Sequence, residues 1–386
     1  MKTYRQKVLV IIGSLDVGGT ETHLTRVLPA LNSDGRQIRV VCFRKGGSLA
    51  EVLESKGVEV RIPDFTRKSY MGPTFSRVVT VISAIGFLAR EFLSYKPDIA
   101  HYFLPEAYIL GGVLSIVFGT PHRVMSRRSR NFYQQRSPLT RIERLLHRRM
   151  DKILTNSKAN LADLKSEGVS EDRLILCYNG IDPTKYGVVA SQREKPSYLP
   201  TAHSDIVITC VANLIPYKGH ADIISALKII KDEKMVSGER QLKMLFVGRD
   251  NGIQQELESK AVGAGVRDQL VFLGSRPNVN EILAFTDIGI LASHEEGMSN
   301  ALLEYMCCSL PVVATDVGGN RETLGETGRL VPAASPGLMA SALAELCNDP
   351  KEARSIGERA RRRVVDQFPL HRTIKIYSDL YDSLRQ

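Results

Sequence analysis

The chain has 386 residues, more than one ordinary hydrophobic core supports, so two domains are expected. Hydrophobic residues make up 43% of the chain, but no apolar run reaches the roughly 18 residues of a membrane-spanning helix. This composition predicts a globular protein. The net charge of +10 favours an anionic partner, and charge alone does not choose among nucleic acid, a membrane surface and a phosphorylated substrate.

The N-terminus combines basic residues with a short apolar run, as a signal peptide does. The run KVLVIIG at 7–13 is rich in Val and Ile and leads into a glycine-rich turn, which favours a buried first strand. We therefore expect neither cleavage nor export. The six cysteines show no C-x-x-C pair and no histidine at metal-ligand spacing. They are expected to be reduced core residues, and no metal site is predicted.

Short apolar runs alternate with amphipathic stretches along both halves of the chain. Strands are predicted at residues 7–13, 38–43, 58–62, 99–103, 122–126 and 152–157, and again at 205–213, 242–248, 270–274, 288–293 and 310–316. Between the two sets, residues 183–204 contain three prolines and no sustained period, which is typical of a linker. Alternation of this kind predicts two Rossmann-like, doubly wound α/β domains with parallel sheets.

The first strand is followed by a turn, GSLDVGGTETHL, that carries three glycines. Gly13, Gly18 and Gly19 allow the backbone to approach a ligand, and a helix is predicted to begin near Thr20. Free N–H groups and the helix dipole would then favour an anion at this place. The spacing fits neither the dinucleotide fingerprint nor a Walker loop, and a plain strand-to-helix turn explains it equally well.

The stretch EEGMSNALLE combines acidic residues with the start of an apolar helix. Gly297 and Ser299 indicate that the helix begins at about Ser299, which is the expected N-cap. Glu296 then lies in the preceding loop and Glu304 lies one turn inside the helix. Both carboxylates can face a ligand above the helix N-terminus and accept hydrogen bonds from sugar hydroxyls. A surface loop followed by an ordinary helical glutamate is the alternative.

Two flanking segments favour the ligand-binding interpretation. The segment ANLIPYKGH follows a predicted strand and places Lys218 at the carboxyl edge of the second sheet, where such folds bind ligands. The segment PVVATDVGGNRETL adds a glycine turn at Gly318 and Gly319, followed by Glu322.

The stretch EEGMSNALLEYMCCSLPVVATDVGGNRETL resembles the signature of the family-four retaining glycosyltransferases, whose hallmark glutamates correspond to Glu296 and Glu304. KPDIAHYF, TNSKANL, YNGIDPTKY, YKGH and FLGSRPNVNEIL also follow the order of that family. The resemblance implies the GT-B fold, in which two Rossmann-like domains face a central cleft. It implies an acceptor-binding domain at 1–190, a nucleotide-sugar-binding domain at 205–367, and a C-terminal helix at 368–386 that returns to the first domain.

The resemblance also implies roles for individual residues. Glu304 would hold the nucleotide ribose, and Glu296 would hold the transferred sugar. Lys218 would neutralise the diphosphate, and His101 corresponds to a histidine near the reacting centre. The implied catalytic residues are therefore Glu296, Lys218 and His101. The implied donor-binding set also contains Gly18, Gly19, Asn213, Arg249, Gly297, Met298, Ser299 and Asn300.

The sequence departs from the family pattern at two places. Many relatives carry an arginine where this chain has Asn213, and an amide does not neutralise phosphate. Arg249 is a candidate replacement cation. A second histidine often follows the first in this family, whereas here Phe103 and Glu106 follow His101, so the manner of acceptor activation is open.

The activity implied by the resemblance is transfer of a sugar, with retention, from a nucleoside diphosphate sugar to an acceptor hydroxyl. UDP is the nucleotide most frequent in the family. No D-x-D motif lies in a suitable loop, so Lys218 and backbone N–H groups are expected to act without a metal or other cofactor. Same-face attack and a carboxylate nucleophile both stay open as routes to retention. A nucleotide-sugar epimerase, a phosphorylase and a non-catalytic nucleotide-sugar-binding protein are the alternatives.

Most of the positive charge lies in one segment, residues 121–150, where nine arginines against one acidic residue give +8. Phe132 and Tyr133 form one adjacent pair and not an interleaved stacking platform, so no nucleic acid is expected. The segment predicts docking on an anionic membrane or capture of a phosphorylated acceptor. A solvated basic helix without a partner is the alternative. The arginines assigned to this role are Arg127, Arg128, Arg130, Arg141, Arg144, Arg148 and Arg149.

These observations lead to one hypothesis for location and acceptor. The protein is expected to be cytoplasmic and peripheral on the inner face of the membrane. There it would add a sugar to a polyprenyl-diphosphate-linked or other anionic glycan during assembly of a surface polysaccharide such as lipopolysaccharide.

Overall fold

The computed structural model describes residues 5–33, 35–63, 73–130, 139–186, 196–202, 204–238 and 240–385. The chain divides into two compact units. Unit 1 contains Met1–Gly180 and Leu370–Gln386, and unit 2 contains Ile181–Pro369.

Unit 1 is built from a seven-stranded sheet with helices on both faces. Its strands are β1 Gln6–Ser14, β2 Arg36–Lys45, β3 Glu59–Arg61, β4 Ile99–Phe103, β5 His122–Arg127, β6 Lys152–Thr155 and β7 Leu174–Leu176. Its first six helices are α1 Gly19–Ser33, α2 Ser48–Glu54, α3 Pro73–Tyr95, α4 Pro105–Val117, α5 Leu139–His147 and α6 Lys158–Ser166.

Unit 2 repeats the same plan with six strands. They are β8 Ile206–Val211, β9 Leu242–Val247, β10 Leu270–Gly274, β11 Ile288–Leu291, β12 Val312–Thr315 and β13 Arg329–Val331. Its helices are α7 His220–Asp232, α8 Gln254–Gly263, α9 Val279–Leu283, α10 Asn300–Cys307, α11 Asn320–Leu324, α12 Pro336–Asn348 and α13 Pro350–Gln367.

The last helix, α14 at Leu370–Ser383, belongs to unit 1. Tyr377 and Tyr381, four residues apart on one face of this helix, are fully buried in the unit 1 core. The side-chain amide of Gln6 donates a hydrogen bond to the Tyr381 carbonyl (2.9 Å), and Arg36 pairs with Asp382 at 2.6 Å. The C-terminus of the chain is therefore tied to the first two strands of unit 1.

Both sheets are entirely parallel and doubly wound. The strand order is β3-β2-β1-β4-β5-β6-β7 in unit 1 and β10-β9-β8-β11-β12-β13 in unit 2. In each sheet the order reverses beside the first strand, between β1 and β4 and between β8 and β11. Ligands of such folds bind outside the carboxyl ends of the strands at this reversal. The prediction of two parallel α/β domains is confirmed.

The alternation of side chains along β1 shows why helices cover both faces of the sheet. Val8 and Val10 pack in the core under α1 and α14, whereas Leu9 and Ile11 pack in the core under α3 and α4. Because both sets are apolar, the strand reads as one continuous hydrophobic run, which is typical of a buried parallel strand.

All eleven predicted strands are present, and two further ones, β7 and β13, were not predicted. Each has three residues, lies at the edge of its sheet and is only partly buried, so it is too short to show a strand period in the sequence. Part of the expected linker also belongs to unit 2, because Leu199 is buried against Val207 and Leu245. Residues 187–195 and 203 lie outside the described residues. Among the described helices, none is both long and apolar enough to cross a membrane.

Candidate active site

The carboxyl edge of unit 2 brings two loops together at the point where the strand order reverses. Strand β8 leads through a short 3-10 turn, Pro216–Lys218, into α7. Strand β11, its neighbour in the sheet, leads through residues 292–299 into α10. The predicted lysine and the predicted glutamates are carried by these two loops and by the first turn of α10.

Lys218 and Glu296 form an ion pair at this edge. The Lys218 ammonium lies 2.6 Å from Glu296 Oε1, and the Ser293 hydroxyl donates a hydrogen bond of 2.7 Å to the same oxygen. The two side chains are only 18% and 10% exposed. Burial opposes the charge of the ammonium, but the Glu296 carboxylate outweighs it and raises the pKa of Lys218. Lys218 therefore carries a full positive charge at neutral pH.

Two glycines allow the loops of this site to pack closely against their neighbours. Gly219 has a φ of 71°, and a side chain there would clash with the carbonyl of Ala292 at the end of β11. Gly318 has a φ of 53°, and a side chain there would clash with the carbonyl of Glu296. The N–H of Gly319 donates a hydrogen bond of 2.7 Å to the Gly297 carbonyl. The loop that carries Glu296 is thus fixed by its neighbours before any ligand binds.

Helix α10 begins where the sequence predicted. Its first residue is Asn300 and its N-cap is Ser299, although the Ser299 hydroxyl makes no capping hydrogen bond. Met298 and Ser299 are buried, at 5% and 7% exposure. The end of the loop is therefore held by packing and by its backbone, and the expected side-chain cap is absent.

Glu304 lies one turn inside α10 and is only 7% exposed. The hydroxyl of Tyr186 donates a hydrogen bond of 3.1 Å to its Oε1 atom. A carboxylate can lie beside the apolar stripe of this helix because a hydroxyl donor reaches it there. Two residues of this site, Tyr186 and Ser293, are not predicted from the sequence. Tyr186 ends the motif YNGIDPTKY, and Ser293 lies two residues after β11.

Asn213 ties two strand ends together. Its side-chain oxygen accepts a hydrogen bond of 2.9 Å from the backbone N–H of Arg249. Gly248, just before Arg249, lies so close to the Ala212 carbonyl that a side chain there would clash. The Arg249 side chain is exposed, and its Nε donates a hydrogen bond of 3.3 Å to Asn251. An amide at position 213 therefore joins the loops after β8 and β9.

In unit 1, the glycine turn after β1 leads into α1 at Gly19, as predicted. The Gly18 carbonyl accepts the N–H of Thr22 at 2.9 Å, so it is part of the first helical turn. A side chain at Gly18 would meet the carboxylate of Glu21, which is itself in that first turn. The chain thus supplies one anion of its own beside this helix N-terminus.

His101 on β4 is buried in unit 1, with 0% exposure. Its Nδ1 is 2.7 Å from the Tyr381 hydroxyl and its Nε2 is 2.9 Å from the Ser126 hydroxyl. Burial, reinforced by the nearby Arg128 charge, lowers the pKa of His101 to about 3. Both ring nitrogens are occupied by hydroxyl groups of the protein, which argues against direct contact with a substrate, and the catalytic role of His101 stays a prediction.

The seven arginines assigned to a membrane or acceptor surface form two groups. Three are engaged by other side chains of unit 1, and four are exposed. Arg127 is buried and lies 2.7 Å from Glu143 and 2.5 Å from Glu167. Burial opposes the charge of Glu167, but hydrogen bonds from His147 and Arg127 lower its pKa to about 2. Because its guanidinium is closed off by carboxylates, the assignment of Arg127 to a membrane or acceptor surface is wrong.

Two further arginines of the set are engaged by side chains of unit 1. Arg130 makes two hydrogen bonds of 3.0 Å to the Asp163 carboxylate. Arg128 donates to Asn179 and, at 3.4 Å, to the Tyr377 hydroxyl. Both are only partly buried, but their partners on α6 and α14 were not foreseen because they are distant in sequence.

The other four arginines of the set are exposed and have no ion pair with any described residue. They are Arg141, Arg144, Arg148 and Arg149. Phe132, Tyr133 and Arg136 lie outside the described residues. Among those that are described, no group of three His, Cys, Asp or Glu side chains is placed to hold a metal ion.

Comparison with known proteins agrees with this fold. Residues 17–185 match the family described as Glycosyltransferase Family 4, and residues 205–349 match Glycosyl transferases group 1. Two doubly wound α/β units, with polar residues at the strand reversal of unit 2, agree with the general rule for ligand binding in such folds. The chain belongs to the family-four, group 1 glycosyltransferases.

Two curated relatives show the range of the family. The N-acetyl-alpha-D-glucosaminyl L-malate synthase of Bacillus anthracis is 31% identical over 54% of this chain and 53% of its own length. A 4-alpha-N-acetylgalactosaminyltransferase of Campylobacter jejuni, named for its N,N'-diacetylbacillosaminyl-diphospho-undecaprenol acceptor, is 30% identical over 57% of each chain. The chain thus matches little more than half the length of these relatives.

Among solved structures, HepE of Anabaena in complex with UDP-glucose has a TM-score of 0.81 to this chain. The likeness covers 98% of this chain and 100% of HepE, at 19% sequence identity. It shows that the two proteins share the GT-B fold.

Proposed function

We propose that this protein transfers a sugar, with retention, from a UDP-sugar to a hydroxyl of a polyprenyl-diphosphate-linked or other anionic glycan during surface polysaccharide assembly. In this proposal unit 2 binds the donor and unit 1 binds the acceptor. The observation that carries the proposal is the Lys218–Glu296 pair at the strand reversal of unit 2, directly before the N-terminus of α10.

The donor would be bound by exchange of contacts that already exist. The Tyr186 hydroxyl that donates to Glu304 stands where a ribose hydroxyl would donate. The Lys218 ammonium would shift from Glu296 to the diphosphate, which would leave the Glu296 carboxylate to accept hydroxyls of the sugar. Gly297–Asn300 would offer N–H groups to the sugar and phosphates. The UDP-glucose complex of HepE supports UDP as the nucleotide, because that protein has the same fold.

The chemistry follows from the charges at this edge. The bond between the anomeric carbon and the diphosphate breaks while a bond from the acceptor oxygen forms on the same face. The acceptor proton passes to the leaving phosphate oxygen. Lys218 and the N-terminus of α10 stabilise the charge that develops on the diphosphate. Asn213 adds no charge, and Arg249, whose backbone N–H donates to Asn213 from the loop after β9, is the candidate replacement cation.

The acceptor class is proposed from the Campylobacter relative, whose name includes an undecaprenol-linked diphosphate. Arg141, Arg144, Arg148 and Arg149 are exposed on unit 1 and suit the headgroup phosphates of a membrane that would carry such an acceptor, because a guanidinium binds phosphate in a bidentate manner. A lipid-linked acceptor places the enzyme at the cytoplasmic face of a membrane.

The test is incubation with a panel of UDP-, GDP- and ADP-sugars, followed by thermal unfolding and by NMR of the products. We expect a UDP-sugar to raise the melting temperature and, with a lipid-linked acceptor, to give a product with the anomeric configuration of the donor. EDTA should not change the rate. A sugar altered without acceptor would indicate an epimerase. Stabilisation without product for any acceptor would indicate a binding protein, and either result would reject the proposal.

A further inference from the structure

The outer surface of unit 1 carries a concentration of apolar side chains that its core does not use. Ten of the seventeen large apolar side chains that are exposed among the described residues lie on α3, α4 and α5. They are Val81, Ile82, Ile85, Leu93, Val113, Ile116, Val117, Leu139, Ile142 and Leu145. Val117 is 69% exposed and Leu145 is 63% exposed. So many exposed apolar groups on adjacent helices indicate a contact surface.

The three helices present these side chains in one direction. Helix α4 contacts both α3 and α5, and all three cover the same face of the sheet. Leu88, Tyr108 and Leu146, one from each helix, pack in the same core beneath them. Their solvent faces therefore form one continuous layer, which we call the outer helix face.

Helix α5 has the composition of a helix that lies in a membrane interface. Its buried side consists of Glu143, Leu146 and His147. Ile142 and Leu145 are exposed on the opposite side, together with Arg141 and Arg144. A short helix with exposed aliphatic residues beside arginines, and with little total hydrophobicity, is typical of interfacial binding.

A basic cavity adjoins the C-terminal end of this helix. It has a volume of about 320 Å³ and is lined by Arg123, Arg148, Arg149, Met150, Asp151, Asp172 and Arg173. Four arginines against two aspartates leave it positive. The side chains of Arg123 and Arg173 are held by the carbonyls of Arg149 (2.8 Å) and Arg148 (3.0 Å) and have no carboxylate partner among the described residues. Their charge is therefore available to an anion.

The cavity adjoins one end of the outer helix face. In a parallel α/β sheet each helix runs back from the carboxyl edge to the amino edge. Val117 ends α4 and Arg148 follows α5, so both lie at the amino edge, where β5 and β7 begin. This edge is opposite to the carboxyl edge, where such folds bind their substrates.

We propose that the outer helix face seats unit 1 on an anionic bilayer, with its apolar side chains among the lipids and a headgroup phosphate in the arginine cavity. Charge complementarity favours a bilayer over a second copy of the chain, because an isologous contact would bring two sets of unpaired arginines together. The inference deepens the membrane location in the proposed function and rests on it, but lipid binding is measurable without sugar transfer.

The experiment is flotation of the full chain with phosphatidylcholine vesicles, with and without phosphatidylglycerol, at low and high salt. One double variant is Val117→Ser with Leu145→Ser, and a second is Arg148→Glu with Arg149→Glu. Matched controls in unit 2 are Val262→Ser with Leu338→Ser, at 65% and 53% exposure, and Arg354→Glu with Arg362→Glu. Circular dichroism and stabilisation by a UDP-sugar report whether each variant keeps its fold and its donor site.

We expect the unaltered chain to float with anionic vesicles and to remain partly bound at high salt, because apolar insertion is not screened. The apolar double variant should lower the partition coefficient about tenfold or more and make the remaining binding fully salt-sensitive. The arginine double variant should lower it by about tenfold on anionic vesicles only.

Equal loss in the unit 2 controls, or flotation that ignores both lipid charge and the apolar variant, would overturn the inference. A dimer in light scattering that the apolar double variant dissociates would overturn it in favour of a second copy. If lipid binding fails while a UDP-sugar still stabilises the protein and is still transferred to product, only the docking surface is wrong.

Discussion

The carboxyl edges of the two sheets show how the same topology gives a closed site in one unit and an open one in the other. In unit 1, His101 lies near the strand reversal and has no exposed surface. In unit 2, Lys218 lies at the corresponding reversal and is 18% exposed. Both His101 and Lys218 are polar residues within or shortly after a buried strand. The sequence signal is therefore of the same kind in the two units.

The difference is made by α14. Its Tyr381 hydroxyl contacts His101, and its Tyr377 hydroxyl is 3.1 Å from Nε2 of His23 on α1. Tyr381 is 280 residues from His101 in sequence, so a distant helix completes the polar network of unit 1. The Lys218–Glu296 pair is instead formed by loops of unit 2 itself. Position at a strand end does not by itself decide whether a polar side chain is available.

The prediction with the greatest effect concerns unit 1, where polar side chains are engaged by partners within the protein. Arg127→Ala should lower the free energy of unfolding by about 3–5 kcal/mol, because it leaves buried Glu143 without its cation and partly buried Glu167 with His147 alone. Arg141→Ala, on the exposed side of α5, should change it by less than about 0.5 kcal/mol. Urea unfolding of both variants measures the difference. Equal stabilities would mean that Arg127 is not structural.

On the open side, Lys218→Ala should reduce sugar transfer by about 10²–10³-fold, the cost of removing one group that stabilises the leaving charge. Lys228→Ala, on the exposed side of α7, is the matched control and should transfer normally. Steady-state kinetics with UDP-sugar gives the answer. Near-normal turnover of the Lys218 variant would remove this residue from the site.

Lowering the pH below 6.5 should destabilise unit 1 more steeply than unit 2. Burial, with a further contribution from Arg128, lowers the pKa of His23 and His101 below the ordinary 6.5, so the unfolded chain binds protons before the folded one. Their contribution to stability is complete above pH 6.5 and is lost below it, approaching about 2.7 kcal/mol per pH unit for the two. In unit 2, burial lowers the pKa of His220 to about 4, which gives about half that slope.

Amide hydrogen exchange measured between about pH 6 and pH 5 reports the stability of each unit separately, so it compares the pH dependence of the two units. His101→Gln keeps hydrogen-bonding capacity without a titrating ring, so it should halve the slope in unit 1 and leave transfer at neutral pH intact. A large loss of transfer in a folded His101→Gln protein would restore the catalytic role that the structure argues against.

The prediction with the smallest effect concerns the hydrogen bond from Tyr186 to Glu304 in the proposed donor site. Tyr186→Phe should destabilise the ligand-free protein by about 1 kcal/mol, because Glu304 loses a hydroxyl donor. The stabilisation by a UDP-sugar should be unchanged or larger, since ribose hydroxyls replace the lost donor. Calorimetric titration checks this. A loss of donor affinity equal to that of Glu304→Ala would show that Tyr186 binds the donor directly.

Local sequence signals predict the alternation of strands and helices, the start of α10, the positions of Lys218 and Glu296 in loops that follow strands, and the position of Glu304 in α10. These features depend on local periodicity, glycine and capping residues, which act over a few neighbours. Local signals do not predict β7 and β13, because three-residue edge strands are too short to show a period.

Which polar side chains are exposed and which are engaged by partners depends on contacts between distant parts of the chain. Arg127 and Arg141 look alike in sequence, yet Arg127 meets carboxylates from α5 and α6, whereas Arg141 faces outward. His101 is closed by Ser126 and by Tyr381 of the last helix. The partners that close these sites come from distant parts of the chain, and the chemistry of a charged or titrating group depends on its partners and burial as much as on its own identity.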